Sequence, residues 1–251
     1  MKKGLKYILI YSITAGLVLV MIGFSSVKRS VRKISEVLVE IESKDGNYFT
    51  DKAEILSMMN AQDSDYVLGS TIGRLDLKQL ELRIESHPFV KNADVYKDIK
   101  GNLMVKVEQA KPIGRILGFE GSGRYIDEEG YLLPVTARQT ARVPIIELER
   151  TLDWEENITE TPYGEDLLEL LTFIQRDKFW NAQIAELVIE KDGEIVMLPQ
   201  VTKQEIAFGM PDNYEKKFRK LKLFYKEILP NKGWNTYSSV NLKFKDQIVC
   251  N

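Results

Sequence analysis

The chain has 251 residues, 44% apolar and 29% charged, with 35 Lys+Arg against 37 Asp+Glu for a formal net charge of −2. That composition suits one or two folded domains, excludes a disordered or fibrous chain, and leaves no global attraction to nucleic acid. One Cys and one His exclude an internal disulfide, a thiolate zinc site and any paired-histidine metal motif.

The first predicted element is the run from Tyr7 to Val27, 21 residues without a charge. As a helix it spans about 30 Å, the thickness of a bilayer's hydrocarbon core. Tyr7 and Tyr11 stand where aromatic interfacial anchors belong. A cleaved signal peptide is the competing reading, because Gly23 and Ser25 are small residues spaced like a cleavage site. The apolar stretch exceeds an ordinary signal core, so an uncleaved anchor with residues 1–6 as a short tail is the expectation. Charge does not orient it: Lys2, Lys3 and Lys6 on one side nearly balance Lys28, Arg29, Arg32 and Lys33 on the other.

Beyond the anchor, Val37, Val39 and Ile41 alternate with Glu36 and Glu40 as in a strand. Asp51 with Glu54 forms a capping box ahead of Ile55, Met58 and Met59, and Asp76 caps a second helix that places Leu77, Leu80 and Ile84 inward. That helix stops at His87-Pro88. Ala93 and Val95 alternate in a strand, a turn follows at Lys100-Gly101-Asn102, and Leu103, Val105 and Val107 alternate in another. The order β-α-α-β-β predicts a small α+β module with both helices on one face of the sheet.

Pro112 marks a change to short strands and turns: Ile113 to Leu117, Gly121-Ser122-Gly123, Tyr125 to Asp127, and Val143 to Ile146. Leu167, Leu170, Leu171 and Ile174 then define an amphipathic helix. A hairpin is expected from Leu187-Val188-Ile189, the turn Lys191-Asp192-Gly193, and Ile195-Val196-Met197. The last helix is expected to start at Asp212, boxed by Glu215, with Tyr214, Phe218, Leu221, Tyr225 and Ile228 inward before Pro230. A final strand carries Val240, Leu242 and Phe244 on one face and Asn241, Lys243 and Lys245 on the other. The expected bounds are a tail at 1–6, a transmembrane helix at 7–27, a first module at 34–111 and a larger, mostly antiparallel β domain with flanking helices at 112–251.

Catalytic chemistry is scarce. There is no Gly-x-Ser-x-Gly, no phosphate-binding loop and no His-Glu-x-x-His. His87, before a proline at a helix end, is read as structural, and Asp127-Glu128-Glu129 before Gly130 as a solvated turn rather than a metal cluster. The lysines of the last helix (Lys216, Lys217, Lys220, Lys222 and Lys226, with Arg219) are read as a solvated face, with anionic lipid or a partner as the alternative. No catalytic, metal or cofactor site is expected, and binding is the expected work. The final strand is the expected place for it. Closing the chain's pattern, it is expected at a sheet edge, where free N–H and C=O groups accept an incoming strand.

The whole arrangement resembles the FtsQ/DivIB family of bacterial cell-division proteins. The module running from Ile84-Glu85-Ser86-His87-Pro88-Phe89-Val90 to Asn102-Leu103-Met104-Val105-Lys106-Val107-Glu108 and Pro112 resembles a POTRA domain. Tyr125-Ile126-Asp127-Glu128-Glu129-Gly130 resembles the signature that opens the family's β domain, and Lys217 to Leu229 followed by Val240-Asn241-Leu242-Lys243-Phe244 resembles its closing helix and strand. The resemblance implies a non-enzymatic scaffold at the division septum, single-pass in the inner membrane with its domains extracytoplasmic. It implies FtsB and FtsL as partners and Ser239, Val240, Asn241, Leu242, Lys243 and Phe244 as the contact strand. Two residues depart from the family pattern: Ser239 stands where some relatives carry an aromatic, and Asn241 where Asp is usual. The runner-up is an exported POTRA-type binding module for outer-membrane assembly or secretion, which a single copy and the lack of a following barrel pattern disfavour.

Overall fold

The computed structural model describes residues 11–21 and 33–251, apart from 45, 61–66, 72, 74, 119–122, 151, 153, 235 and 246. Residues 11–21 are helical and exposed, and no helix among the described residues is long and apolar enough to cross a membrane. The expected tail at 1–6, the two ends of the 7–27 run, the basic residues 28–32 and the expected turn at Gly121-Ser122 lie outside the described residues.

The chain divides into two units, Met1–Ser43 with Thr50–Gln109, and Lys44–Phe49 with Ala110–Asn251. The first holds strand β1 (Val37–Glu42), helices α1 (Lys52–Met59) and α2 (Leu77–Glu85), and strands β2 (Val90–Lys97) and β3 (Leu103–Gln109). Both helices start where their carboxylates predict: Asp51 accepts from Glu54 N at 2.8 Å and Asp76 from Gln79 N at 3.1 Å. The sheet order is β1-β3-β2, with β3 central, parallel to β1 and antiparallel to β2. Ile55, Met59, Leu80 and Ile84 from the helices close over Val39, Ala93, Val95, Val105 and Val107. The outer edge of β2 is not open. Val95 N–H donates to Glu81 at 3.0 Å and Ala93 N–H to Glu85 at 3.2 Å, so carboxylates of α2 occupy donors that an incoming strand would need.

The second unit is built on a nine-stranded sheet in the order β12-β11-β10-β9-β8-β7-β4-β5-β6. Its strands are β4 (Pro112–Ile116), β5 (Arg124–Asp127), β6 (Leu132–Pro134), β7 (Ile145–Leu148), β8 (Ile184–Ile189), β9 (Ile195–Pro199), β10 (Glu205–Gly209), β11 (Ser239–Asn241) and β12 (Val249–Cys250). Five of the eight pairings are antiparallel and three parallel, so the sheet is mixed. Helices α3 (Pro162–Arg176), α4 (Lys178–Gln183), α5 (Tyr214–Leu223) and α6 (Leu229–Lys232) accompany it, with a π-helical stretch at Phe224–Ile228 between the last two. The expected hairpin forms between β8 and β9, turning at Gly193 with φ +91°. Lys44–Phe49 joins this unit because Phe49 stacks edge-on against Tyr125 at 6.0 Å and Lys44 pairs with Glu128.

Two expectations about the last helix are corrected. It starts at Tyr214, with Asn213 at the cap position at φ 47° making no side-chain capping bond, while Asp212 is engaged by Lys217. Pro230 does not end it. The π-helical stretch resets the hydrogen-bond ladder, and Pro230 then falls in the first turn of α6, where no backbone donor is needed.

Candidate functional site

The predicted contact strand proves shorter than its pattern. Pairing stops at Asn241, whose side-chain Oδ1 accepts from Lys243 N at 2.9 Å. Leu242 N still donates to Ala207 O of β10 at 3.0 Å, and the Asx-type turn then satisfies Lys243 N, the next donor on the β12 side, locally and ends the ladder. Beyond it, Lys220 Nζ donates to the carbonyls of Leu242 at 2.8 Å and Phe244 at 2.5 Å. Val240 and Leu242 are fully buried under α5, Ser239 and Asn241 are half-buried, Lys243 is exposed beside Glu194, and Phe244 is 46% exposed. The six residues are therefore together, but only Phe244 and Lys243 present substantial side-chain surface.

The sheet-edge expectation for 239–244 is corrected. β11 lies between β10, which it joins in parallel (Ile206↔Val240), and β12, which it joins antiparallel (Val240↔Cys250, Asn241↔Val249). The outermost strand is β12. Its pairing phase decides what it offers outward. Ser239 N donates to Asn251 O at 3.2 Å and Asn251 N returns to Ser239 O at 3.1 Å, a closely bonded pair. Antiparallel pairs alternate, so Asn241 and Val249 form the next bonded pair, and Cys250 between them turns its N–H and C=O away from β11. The Cys250 side chain stays on the core face, where burial raises its thiol pKa above the ordinary value.

Past the ends of β10 and β11, α5 and the turn after β10 enclose a cleft of about 400 Å³ lined by Met210, Lys216, Lys217, Lys220, Leu242 and Phe244, among others. Lys217 overturns the solvated-face expectation for its position. It is only 9% exposed, donates to Met210 O at 2.7 Å and Asp212 Oδ1 at 2.8 Å, and sits 4.8 Å over the Phe208 ring. The hydrogen bond from Lys217 holds the Asp212 carboxyl below the usual carboxylate range. At the β8–β9 turn, Glu190, Asp192 and Glu194 bring carboxylate oxygens within 4.8 Å of one another. Lys243 supplies a cation to that trio, meeting Glu194 at 2.5 Å, and its ammonium pKa is raised by this bond.

Residues singled out elsewhere act structurally. His87 Nδ1 accepts from Phe89 N at 3.2 Å, which leaves Nε2–H to meet Glu54 Oε1 at 3.3 Å. The His-Pro-Phe motif thus ties the end of α2 to α1. Asp127 corrects the solvated-turn expectation in part: the turn is there, but Asp127 is 3% exposed and accepts from Glu129 N at 2.9 Å and Tyr131 N at 2.8 Å. Burial raises its pKa, and those two backbone bonds partly offset the rise. Trp180, in a stretch that no motif covers, lies fully in the core 4.7 Å from Phe218. Sequence reasoning missed β10 and β12; the apolar triplet Ile248-Val249-Cys250 was the signal available for β12.

Comparison with known proteins bears on this geometry. The family model described as FtsQ/DivIB, C-terminal related, matches residues 111–251, and the one described as POTRA-like domain matches residues 32–108. Among curated relatives, the chain is 26% identical over 187 residues to the cell division protein FtsQ of Rhodothermus marinus, covering 72% of this chain and 67% of that one.

Proposed function

The chain belongs to the FtsQ/DivIB family of cell-division proteins, and on that premise we propose that it is a non-enzymatic scaffold of the division septum that recruits FtsB and FtsL through the C-terminal end of its large sheet. The 7–27 run tethers it in the inner membrane, with residues 1–6 cytoplasmic and the POTRA-like module (34–111) and β domain (112–251) extracytoplasmic. The observation that carries the binding reading is the phase of β12. The strand that ends the sheet aims the N–H and C=O of Cys250 outward, with no further strand beyond it among the described residues.

In this mechanism a partner segment adds to β12. Backbone bonds supply affinity, and side chains at alternate positions supply selectivity. Phe244 and Met210 are exposed apolar side chains just past the ends of β11 and β10. Ser239, Val240, Asn241 and Leu242 act from beneath, as the platform that holds β12 in register. The test is co-purification of the full chain with FtsB and FtsL from detergent-solubilised membranes, beside imaging of a fluorescent fusion. Co-elution and a mid-cell band are expected. A folded, membrane-inserted chain that co-elutes with neither, or that spreads over the whole envelope, overturns the proposal.

A further inference from the structure

In the first unit, exposed apolar side chains gather at one end of the sheet. Ile99 is 99% exposed, Leu68 61% and Tyr96 41%. Ile99 sits on the β2–β3 turn, which Asp98 holds by accepting from Gly101 N at 2.7 Å, Asn102 N at 2.8 Å and Asn102 Nδ2 at 3.0 Å. The turn is thus fixed in a shape that points an isoleucine into solvent. Leu68 sits on a second turn, tied to Ile34 by Gly69 N to Ile34 O at 3.1 Å and Ile34 N to Ser70 O at 3.0 Å.

Both turns flank the point where the chain arrives from its N-terminal run. Leu103 N donates to Glu36 O at 2.9 Å, which places the β2–β3 turn beside residues 34–36, just as the Gly69–Ile34 bond places the other. The seven residues from Val27 to Ile34 span at most about 25 Å even when fully extended. Whatever their conformation, this end of the unit is held within that distance of the anchor's end. Exposed Lys33, Lys97 and Lys100 accompany the apolar tips, while the Asp98 carboxylate is committed to backbone donors and, among the described residues beside the two turns, Glu36 is an opposing exposed acid. Apolar and aromatic tips in a lysine collar match the bilayer interface, where the tips enter the headgroup layer and lysines meet anionic lipid.

We infer that Ile99 and Leu68 are membrane-contacting tips. They seat the first unit on the lipid surface of the membrane that holds the 7–27 run. The inference rests on the tethered reading above and adds an orientation to it: the β2–β3 turn down, the Glu42 end of β1 away. Six residues of β1 separate Glu36 from Glu42, about 20 Å at strand rise.

The test places a single fluorescent label on the full chain in a Cys250→Ser background, at Ile99→Cys, Leu68→Cys, Glu42→Cys or Val18→Cys. Each variant is reconstituted in phosphatidylethanolamine–phosphatidylglycerol vesicles carrying spin-labelled lipid. Labels at 99 and 68 are expected to be quenched by a shallow spin label and the label at 42 to be untouched. Changing Lys97 and Lys100 together to Gln is expected to lower the lipid-engaged fraction by about an order of magnitude. Equal quenching at 99 and 42 overturns the inference. The label at 18 separates the two readings: if a deep spin label fails to quench it, the tether itself fails. If 18 is quenched and 99 is not, only the seating is wrong.

Discussion

Lys217 to Met removes an ammonium from the base of the basic helix while keeping most of its stem. The lost bond to the Met210 carbonyl, at 2.7 Å, is charge-assisted and worth about 1.5 kcal/mol at the lower end of such bonds. The ring of Phe208 at 4.8 Å adds about 0.5–1 kcal/mol. The bond to Asp212 adds little, since that side chain is 55% exposed and is rehydrated when the ammonium leaves. The expected loss is about 2 kcal/mol for Lys217→Met, against less than about 0.5 kcal/mol for the exposed neighbour in Lys216→Met. Urea unfolding of the full chain in micelles, followed by tryptophan fluorescence, reads both through the midpoint at constant slope. A second signature is its pH dependence. The folded-state pKa of Asp212 lies below its ordinary 3.8, so its contribution is present above that value and lost as pH falls through the lower, folded one. The gap between wild type and Lys217→Met therefore narrows in acid by no more than the small share that this exposed bond supplies. A Lys217→Met variant as stable as wild type, or a Lys216→Met variant equally impaired, refutes the assignment of Lys217 to the fold.

Asp127→Asn keeps an Oδ1 for the Glu129 and Tyr131 amides while removing a buried charge. The folded pKa of Asp127 is raised above 3.8, so its favourable contribution is complete below that value and lost as pH rises through the folded pKa. The Asn variant is expected to gain on wild type from acid toward neutral pH in thermal melts, and a constant difference across that range contradicts the reasoning. Gly130→Ala is expected to cost about 2–3 kcal/mol, from a non-glycine residue at positive φ and the overpacking it causes. Its φ is +88° and an added Cβ would lie 2.7 Å from Asn157 Oδ1; unchanged urea midpoints exclude that account. Cys250 is expected to react with a thiol reagent more slowly than a free cysteine peptide at mildly alkaline pH, because its pKa is raised by burial; equal rates contradict it.

What periodicity conveys, the chain conveys well. Asp51 and Asp76 cap the helices they predict, Leu167 through Ile174 are buried on one stripe, and the β8–β9 hairpin turns at Gly193. Pairing partners were not legible, because alternation identifies a strand without naming its neighbours. Val37 gives no sign that it will lie parallel to Leu103, nor Val240 that Cys250 will cover it. The length of β11 was over-read for a local reason. Val240, Leu242 and Phe244 keep a strand's alternation, yet Asn241 closes on Lys243 N and stops the ladder. Lys217 reads like its neighbours in sequence, and only the position of Phe208 and the Met210 carbonyl distinguishes it.

The central claim is that a partner strand adds to the outward edge of β12. Proline at Cys250 removes the outward N–H and crowds that edge while leaving the Ser239–Asn251 bonds intact, whereas proline at Val249 removes an inward donor to β11. The decisive measurement is the affinity of the full chain in nanodiscs for the extracytoplasmic segment of FtsB, comparing wild type with Cys250→Pro, each with its melting temperature. The account predicts a melting temperature near wild type for Cys250→Pro and binding weaker by about tenfold, the cost of one strand-addition bond. Wild-type affinity in a folded Cys250→Pro protein would contradict it.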